Sequence, residues 1–213
     1  MKLEITIPEK LSEIKLGHYQ NFAKIEQPND YDVLKCFYGI DTKGVFDMKA
    51  SDVARLVEAI NTLLLVEPKE LITSFKLGGQ EFGFIPNLDE MSYGENLDLT
   101  DYVNDPLAMA NAMAVMYRPI TLRQSGKYLV EPYEGSAKYV SIMKHAPLDA
   151  FLSAKVFFYR LTKDLLNFIP VFLEQESKHL SAENGETMRV YISSLTESLK
   201  SLTKHQAGIY TNA

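Results

Sequence analysis

The stretch PLDAFLSAKVFFYRLTKDLLNF, running from Pro147 to Phe168, decides the fold class. Phe151, Ala154, Phe158, Leu161, Leu165 and Phe168 recur every three or four residues, and Leu148, Leu152, Val156 and Tyr159 widen the same face. Asp149, Ser153, Arg160, Lys163, Asp164 and Asn167 lie opposite. The 3.6-residue period of an α-helix gathers such a set on one side. The spacing predicts a long amphipathic helix with Phe158 and Leu161 buried. Truncating Phe158 to alanine in a core would cost ~3–5 kcal/mol. Pro170 is expected to kink or end the helix, since proline lacks the amide donor and crowds the preceding turn.

Downstream, Val171, Phe172 and Leu173 lead into a polar segment broken at Asn184-Gly185. Met188, Ile192, Leu195, Leu199 and Leu202 then follow at spacings of four, three, four and three. This is a short heptad seam that either closes the domain or docks on another chain. From Gly208 onward a frayed tail is expected.

Upstream the pattern is more varied. Leu3, Ile5 and Ile7 alternate with polar residues and predict a short strand ended by Pro8. Ser12 to Ile25 reads as a short helix interrupted in its pattern by Gly17. Asn29 and Asp30 can cap a helix to about Tyr38, with Gly39 just past its end. Ser51 caps a further helix carrying Val53, Leu56, Val57, Ile60, Leu63 and Leu64 on one face, with Pro68 after it. The period then changes from helical to alternating. Phe75 and Leu77, then Phe82 and Phe84, flank Gly78-Gly79 and read as a β-hairpin.

Asp89 to Asn104 is acidic and reads as a solvated loop with short helical turns. Its carboxylates lack the ordered spacing, central glycine and final glutamate of a calcium loop. Asp105-Pro106 is a helix start by its N-cap and first-turn proline. Met109, Met113 and Met116 form one stripe, beside Leu107, Ala110, Ala114 and Tyr117. Methionine stripes serve as adaptable core or as adaptable binding surface, and the adjoining apolar face favours core. Pro119 stops that helix, and a second hairpin follows around Ser125-Gly126 with Leu122, Tyr128, Leu129 and Val130. The fold class is therefore mainly α with small β-hairpins near residues 71–85 and 120–131, an α+β arrangement with a helical C-terminal half. Residues 1–213 read as one domain, which can be subdivided into a helical part (1–70), a hairpin-rich middle (71–135) and a second helical part (136–206).

Composition narrows the function. The chain carries 28 acidic and 22 basic side chains and a formal charge of −6. That balance favours solubility and disfavours a nucleic-acid binder, which needs a basic face. The single cysteine, Cys36, excludes a disulfide-built secreted domain and reads as a small half-buried side chain. The N-terminus lacks the apolar core of a signal peptide, and no apolar run approaches the ~20 residues of a membrane span. The site of synthesis is the expected compartment: the cytoplasm, or the cytoplasm of a host.

The residues that carry chemistry are scattered. His18, His145, His179 and His205 form no helical metal pair, and no serine sits in a nucleophile elbow. No enzyme activity, metal or cofactor is expected, and chelators should leave the melting temperature unchanged. Arg118, next to Pro119, suits a forked bridge to a carboxylate such as Glu131 or Glu134. Tyrosines concentrate in the middle, among them Tyr93, Tyr102, Tyr117, Tyr128, Tyr133 and Tyr139. Tyrosine offers contact area with a polar tip and suits interfaces. The expected partner surface lies between Phe84 and Glu134 and uses Phe84, Tyr93, Tyr102, Arg118 and Tyr133. The competing reading makes these tyrosines caps on the core beneath the hairpins.

Several segments, taken in order, carry a resemblance. They are LSEIKLGHYQ (11–20), FGFIPNL (82–88) with MSYGE (91–95), MYRPI (116–120), YLVEPYEG (128–135) and PLDAF (147–151). Across about residues 3–175 the chain resembles small tailed-bacteriophage proteins encoded among the virion and tail genes, regarded as tail assembly chaperones. The resemblance implies a protein that binds tail-tube or tape-measure subunits before assembly, and carries no catalytic residues. The alternative is a permanent virion component such as a connector, baseplate or tail part. Expected partners are phage structural proteins, tail or connector subunits, with no nucleic acid and no membrane.

Overall fold

The computed structural model describes residues 5–177, without the side chains of 165–167 and 170–177. The fold is α+β, mainly helical with one small sheet. In chain order the described helices are α1 (Leu16–Phe22), α2 (Asp30–Tyr38), α3 (Thr42–Phe46), α4 (Ala50–Leu64), α5 (Tyr93–Tyr102), α6 (Met109–Met116), α7 (Val140–Met143) and α8 (Leu148–Ser177). The strands are β1 (Ser74–Leu77), β2 (Gln80–Phe84), β3 (Tyr117–Gln124) and β4 (Lys127–Val130). The chain divides into two compact units, Met1–Val156 and Phe157–Ala213.

Local chemistry sets several of these boundaries. The Asn29 side chain accepts from the amides of Tyr31 (2.9 Å) and Asp32 (3.3 Å), and Asp32 returns the bond to Asn29 at 3.0 Å. This reciprocal cap starts α2 where the sequence expects it, and Gly39 ends it. The helix expected from Ser51 begins at Ala50 after Lys49, which makes no side-chain cap bond.

The two expected hairpins are present and share one antiparallel sheet in the order β1-β2-β3-β4. Gly78 and Gly79 turn β1 into β2 at φ of 60° and 82°. Two consecutive left-handed residues match the twist of paired strands, and glycine adopts them without steric cost. Phe82 pairs with Pro119 and Phe84 with Tyr117, which joins the hairpins at the centre of the sheet. Helices α5 and α6 occupy the connection between β2 and β3.

Helix α6 lies at the centre of the first unit. All its residues but Asn111 are buried, including Met109, Met113 and Met116, so the methionine stripe is core. It packs against α1, α5 and α7. The start expected at Asp105-Pro106 moves to Met109, because the Asp105 carboxylate caps a preceding turn through the Leu107 amide at 2.7 Å. Leu107 itself is exposed.

Residues 14–17 run antiparallel to 144–148. The amides of Leu16, Gly17 and Leu148 donate to the carbonyls of Ala146 (2.9 Å), Lys144 (2.8 Å) and Ile14 (2.8 Å). A β-carbon on Gly17 would stand 2.9 Å from the Lys144 carbonyl oxygen, so this close approach needs glycine. The expected strand leaves no trace at Ile5 and Ile7, while Leu3 lies outside the described residues.

Helix α8 departs from its expected burial. Leu148, Ala150, Phe151, Ser153 and Ala154 are buried, but Phe158 is half-buried and Leu161 is 43 % exposed. Ser153 was expected on the polar face. It is instead inside, donating to the Ala150 carbonyl (3.0 Å) and accepting from the Ile72 amide (3.1 Å). Tyr117, fully buried, shares its one hydroxyl proton between the carbonyls of Ile72 (2.7 Å) and Ala150 (3.2 Å). These two hydroxyls tie the entry to β1 onto the first turn of α8. The helix continues past Pro170 to Ser177. The seam from Met188 to Leu202 lies outside the described residues.

Candidate functional site

Helix α5 replaces the loop expected across the acidic segment. Ser92 accepts from the Glu95 amide (3.2 Å), and the Glu95 carboxylate accepts from the Ser92 amide (2.7 Å). Glu95 does a second job with its other oxygen, which lies 2.6 Å from an Arg118 guanidinium nitrogen. Both side chains of this pair are under a tenth exposed, at 8 % for Arg118 and 7 % for Glu95. One carboxylate therefore caps the helix and anchors it to the start of β3. Two paired charges out of water hold geometry firmly, because either one alone would be left buried and uncompensated.

A second polar contact lies beside the first. The Arg118 guanidinium sits 5.7 Å from the centre of the Tyr133 ring, within cation–π range. The Tyr133 hydroxyl donates to the Asp98 carboxylate. Burial, and then Asp98, pushes the Tyr133 phenol well above its ordinary range, so it remains a donor. The inward stripe of α5 is Glu95, Asp98, Leu99 and Tyr102, at the i, i+3, i+4, i+7 positions of one helix face. Three of these four side chains are polar or charged.

The outward face carries two large side chains, Tyr93 and Leu97. Tyr93 is 83 % exposed and Leu97, one turn later, is 49 % exposed. Asn96, Thr100 and Asp101 surround them and are also exposed.

The five residues expected at a partner surface thus separate. Tyr93 is open to solvent, and Tyr102 and Tyr133 are half-buried. Arg118 is buried beneath α5, and Phe84 is 3 % exposed with its ring edge-on to Tyr117 at 5.3 Å. Phe84 and Arg118 are interior and offer little exposed area. Their neighbours are a strand and a helix that sequence separation could not foretell. The bridge expected from Arg118 is real, with Glu95 as its partner in place of Glu131 or Glu134. Glu131 and Glu134 take Lys138, at 2.5 Å and 3.3 Å, and Glu131 also accepts from the Tyr139 hydroxyl. The Lys138 ammonium and that hydroxyl hold Glu131 below the usual carboxylate range. Leu97 was not anticipated, because the segment shows no apolar period.

A separate feature was also invisible in the sequence. The pairing of 14–17 with 144–148 brings His18 and His145 to one cavity of about 390 Å³, with Lys15, Lys24, Lys144 and Gln20 in its wall. Elsewhere the chemistry is sparse. Among the described residues no group of three or more His, Cys, Asp or Glu side chains is placed to hold a metal ion. Burial and the nearby Asp32 push the Cys36 thiol up, opposite to the shift that activates a nucleophile. Among the described residues no helix is long and apolar enough to cross a membrane. No protein-family model, curated protein or solved structure matches the chain.

Proposed function

We propose that this chain is a non-enzymatic protein-binding protein of tailed-phage assembly, a tail assembly chaperone that covers unassembled tail subunits with the outer face of α5. One observation carries the reading: α5 turns two of its three carboxylates, Glu95 and Asp98, inward and leaves the large side chains of Tyr93 and Leu97 exposed. A surface helix ordinarily does the reverse. Burying Glu95 against Arg118 costs desolvation that a leucine at the same place would avoid. The arrangement gains a rigid platform that presents Tyr93 and Leu97 one turn apart. Such a pair can enter a partner's apolar groove, with Asn96, Thr100 and Asp101 as a polar rim. Tail subunits awaiting assembly expose apolar surface and strand edges, which a soluble acidic protein can shield. The sequence resemblance supports the phage setting.

The test is distribution. Quantitative blotting or mass spectrometry of infected cells and of purified particles is expected to find the chain in cells, co-purifying with tail-tube or tape-measure subunits, and absent from particles. A fixed stoichiometry in purified particles would make it a connector, baseplate or tail component instead. Failure to associate with any tail subunit, together with absence from particles, would remove the assembly reading.

A further inference from the structure

Strand β4 lies at one end of the sheet, and among the described residues no strand pairs with its outer side. The hairpin fixes which way its backbone groups point. Lys127 pairs with Gln124 across the Ser125-Gly126 turn, Leu129 pairs with Leu122, and the Glu131 amide donates to the Pro119 carbonyl at 2.9 Å. The Thr121 hydroxyl donates to the Leu129 carbonyl at 3.4 Å, which puts that carbonyl on the β3 side. Lys127, Leu129 and Glu131 therefore direct their backbone groups toward β3. Alternation along a strand then directs those of Tyr128 and Val130 outward. The Tyr128 hydroxyl bonds to the carbonyls of Thr73 (3.0 Å) and Phe84 (2.8 Å) and holds β4 down on the sheet. A fixed edge with outward donors and acceptors is a template for another strand.

The sequence of β4 says which strand fits. In an antiparallel two-fold pair centred on Leu129, Tyr128 of each copy stands opposite Val130 of the other. Every outward amide then meets an outward carbonyl. The same register sets Lys127 of each copy opposite Glu131 of the other, on the face that also carries Leu129. Glu131 and Glu134 both bind Lys138, two carboxylates to one ammonium, so this end of β4 carries negative charge. The other end carries the exposed Lys127. A strand positive at one end and negative at the other complements itself when antiparallel, and opposite charges across a strand pair are favourable. The leucines agree. Leu122 and Leu129 are cross-strand neighbours, 53 % and 57 % exposed. Pairing at Leu129 would bring the two copies of this residue side by side and extend the apolar row from Leu122 of one copy to Leu122 of the other.

We propose that the chain dimerises through β4, joining two sheets into one continuous antiparallel sheet with its two-fold axis at Leu129. The contact uses neither Tyr93 nor Leu97, so it can fail or hold apart from the α5 reading. The experiment is sedimentation velocity of the full chain from ~1 to ~100 µM, with a monomer–dimer equilibrium expected in that range. Val130→Pro removes an outward amide at a place where an edge strand tolerates proline. Leu129→Glu puts like charges across the axis. Each is expected to raise the dimer Kd at least ~tenfold with an unchanged circular dichroism spectrum. Register is read by oxidation in a Cys36→Ser background. Leu129→Cys is expected to form a disulfide-linked dimer, because residues opposed in this way have Cα atoms ~4.5 Å apart, within disulfide range. Leu122→Cys is expected not to, since its copies would stand three strand spacings, roughly 14 Å, apart. Should Val130→Pro or Leu129→Glu misfold, the two cysteine variants decide. A chain that stays monomeric up to ~100 µM would overturn the proposal, whether or not its β4 takes a strand from another protein. A dimer that neither β4 substitution weakens, or that Leu122→Cys links as well as Leu129→Cys, would overturn it too.

Discussion

Arg118→Ala is expected to lower the stability of the chain by about 3–5 kcal/mol, the cost of stranding one member of a buried ion pair. The loss has two parts. Glu95 would remain in a site where its side chain is 7 % exposed, with its strongest partner gone. Tyr133 would lose the guanidinium over its ring, loosening its bond to Asp98 and the hold on α5. Glu95→Ala should act as severely, since it strands Arg118 and also removes the cap on the Ser92 amide. The double variant Glu95→Leu with Arg118→Met should recover much of the loss, because an apolar pair of similar volume needs no charge compensation. Urea unfolding monitored by circular dichroism measures all three. Singles within ~0.5 kcal/mol of the parent chain, the range of ordinary surface substitutions, would mean that water reaches the pair.

Phe151→Ala is expected to cost about 3–5 kcal/mol, and Phe158→Ala clearly less. The two phenylalanines lie on the same face of α8 and look equivalent by spacing. Phe151 is 1 % exposed, whereas Phe158 is half-buried with its ring edge-on to Phe157 at 5.4 Å. Truncating a fully buried ring leaves a cavity as well as lost transfer energy, while a half-buried ring leaves a groove that water can fill. Equal losses at the two positions would show that burial along α8 extends further than Ala154.

These two contrasts mark what could be read from the sequence. Features set by neighbours along the chain were legible. The Asn29 cap, Gly39 and the Gly78-Gly79 turn depend on backbone conformation and donors within a few residues, and they occur where the sequence places them. The α+β class was legible from period and turn residues, and the core role of Met109, Met113 and Met116 from the wider apolar face their stripe adjoins. Helix α5 was not, because its inward stripe of Glu95, Asp98, Leu99 and Tyr102 has no apolar period to detect. Its docking rests on Arg118 and Tyr133, which are distant in sequence. Pro119 ended the preceding helix only indirectly: the helix stops at Met116, and the proline stands within β3 opposite Phe82. Of the five residues expected at a partner surface, Tyr93 is exposed, while Phe84 and Arg118 are interior. Burial depends on which surfaces meet, and a list of aromatic and charged residues does not contain that. The gathering of His18 and His145 in one cavity belongs to the same class of long-range fact.

The outer face of α5 is the proposed binding surface. Tyr133 is unsuitable as a probe because it helps to hold α5, so the informative variant is Tyr93→Ala with Leu97→Ala, two exposed side chains on one face. The measurement is the affinity of this double variant for the tail subunits that co-purify with the parent chain, read beside its urea midpoint. Binding is expected to weaken at least ~tenfold, as for anchors at the centre of an interface, with the midpoint unchanged. Affinity within about twofold of the parent, well under the 1.4 kcal/mol that a tenfold change represents, would contradict it.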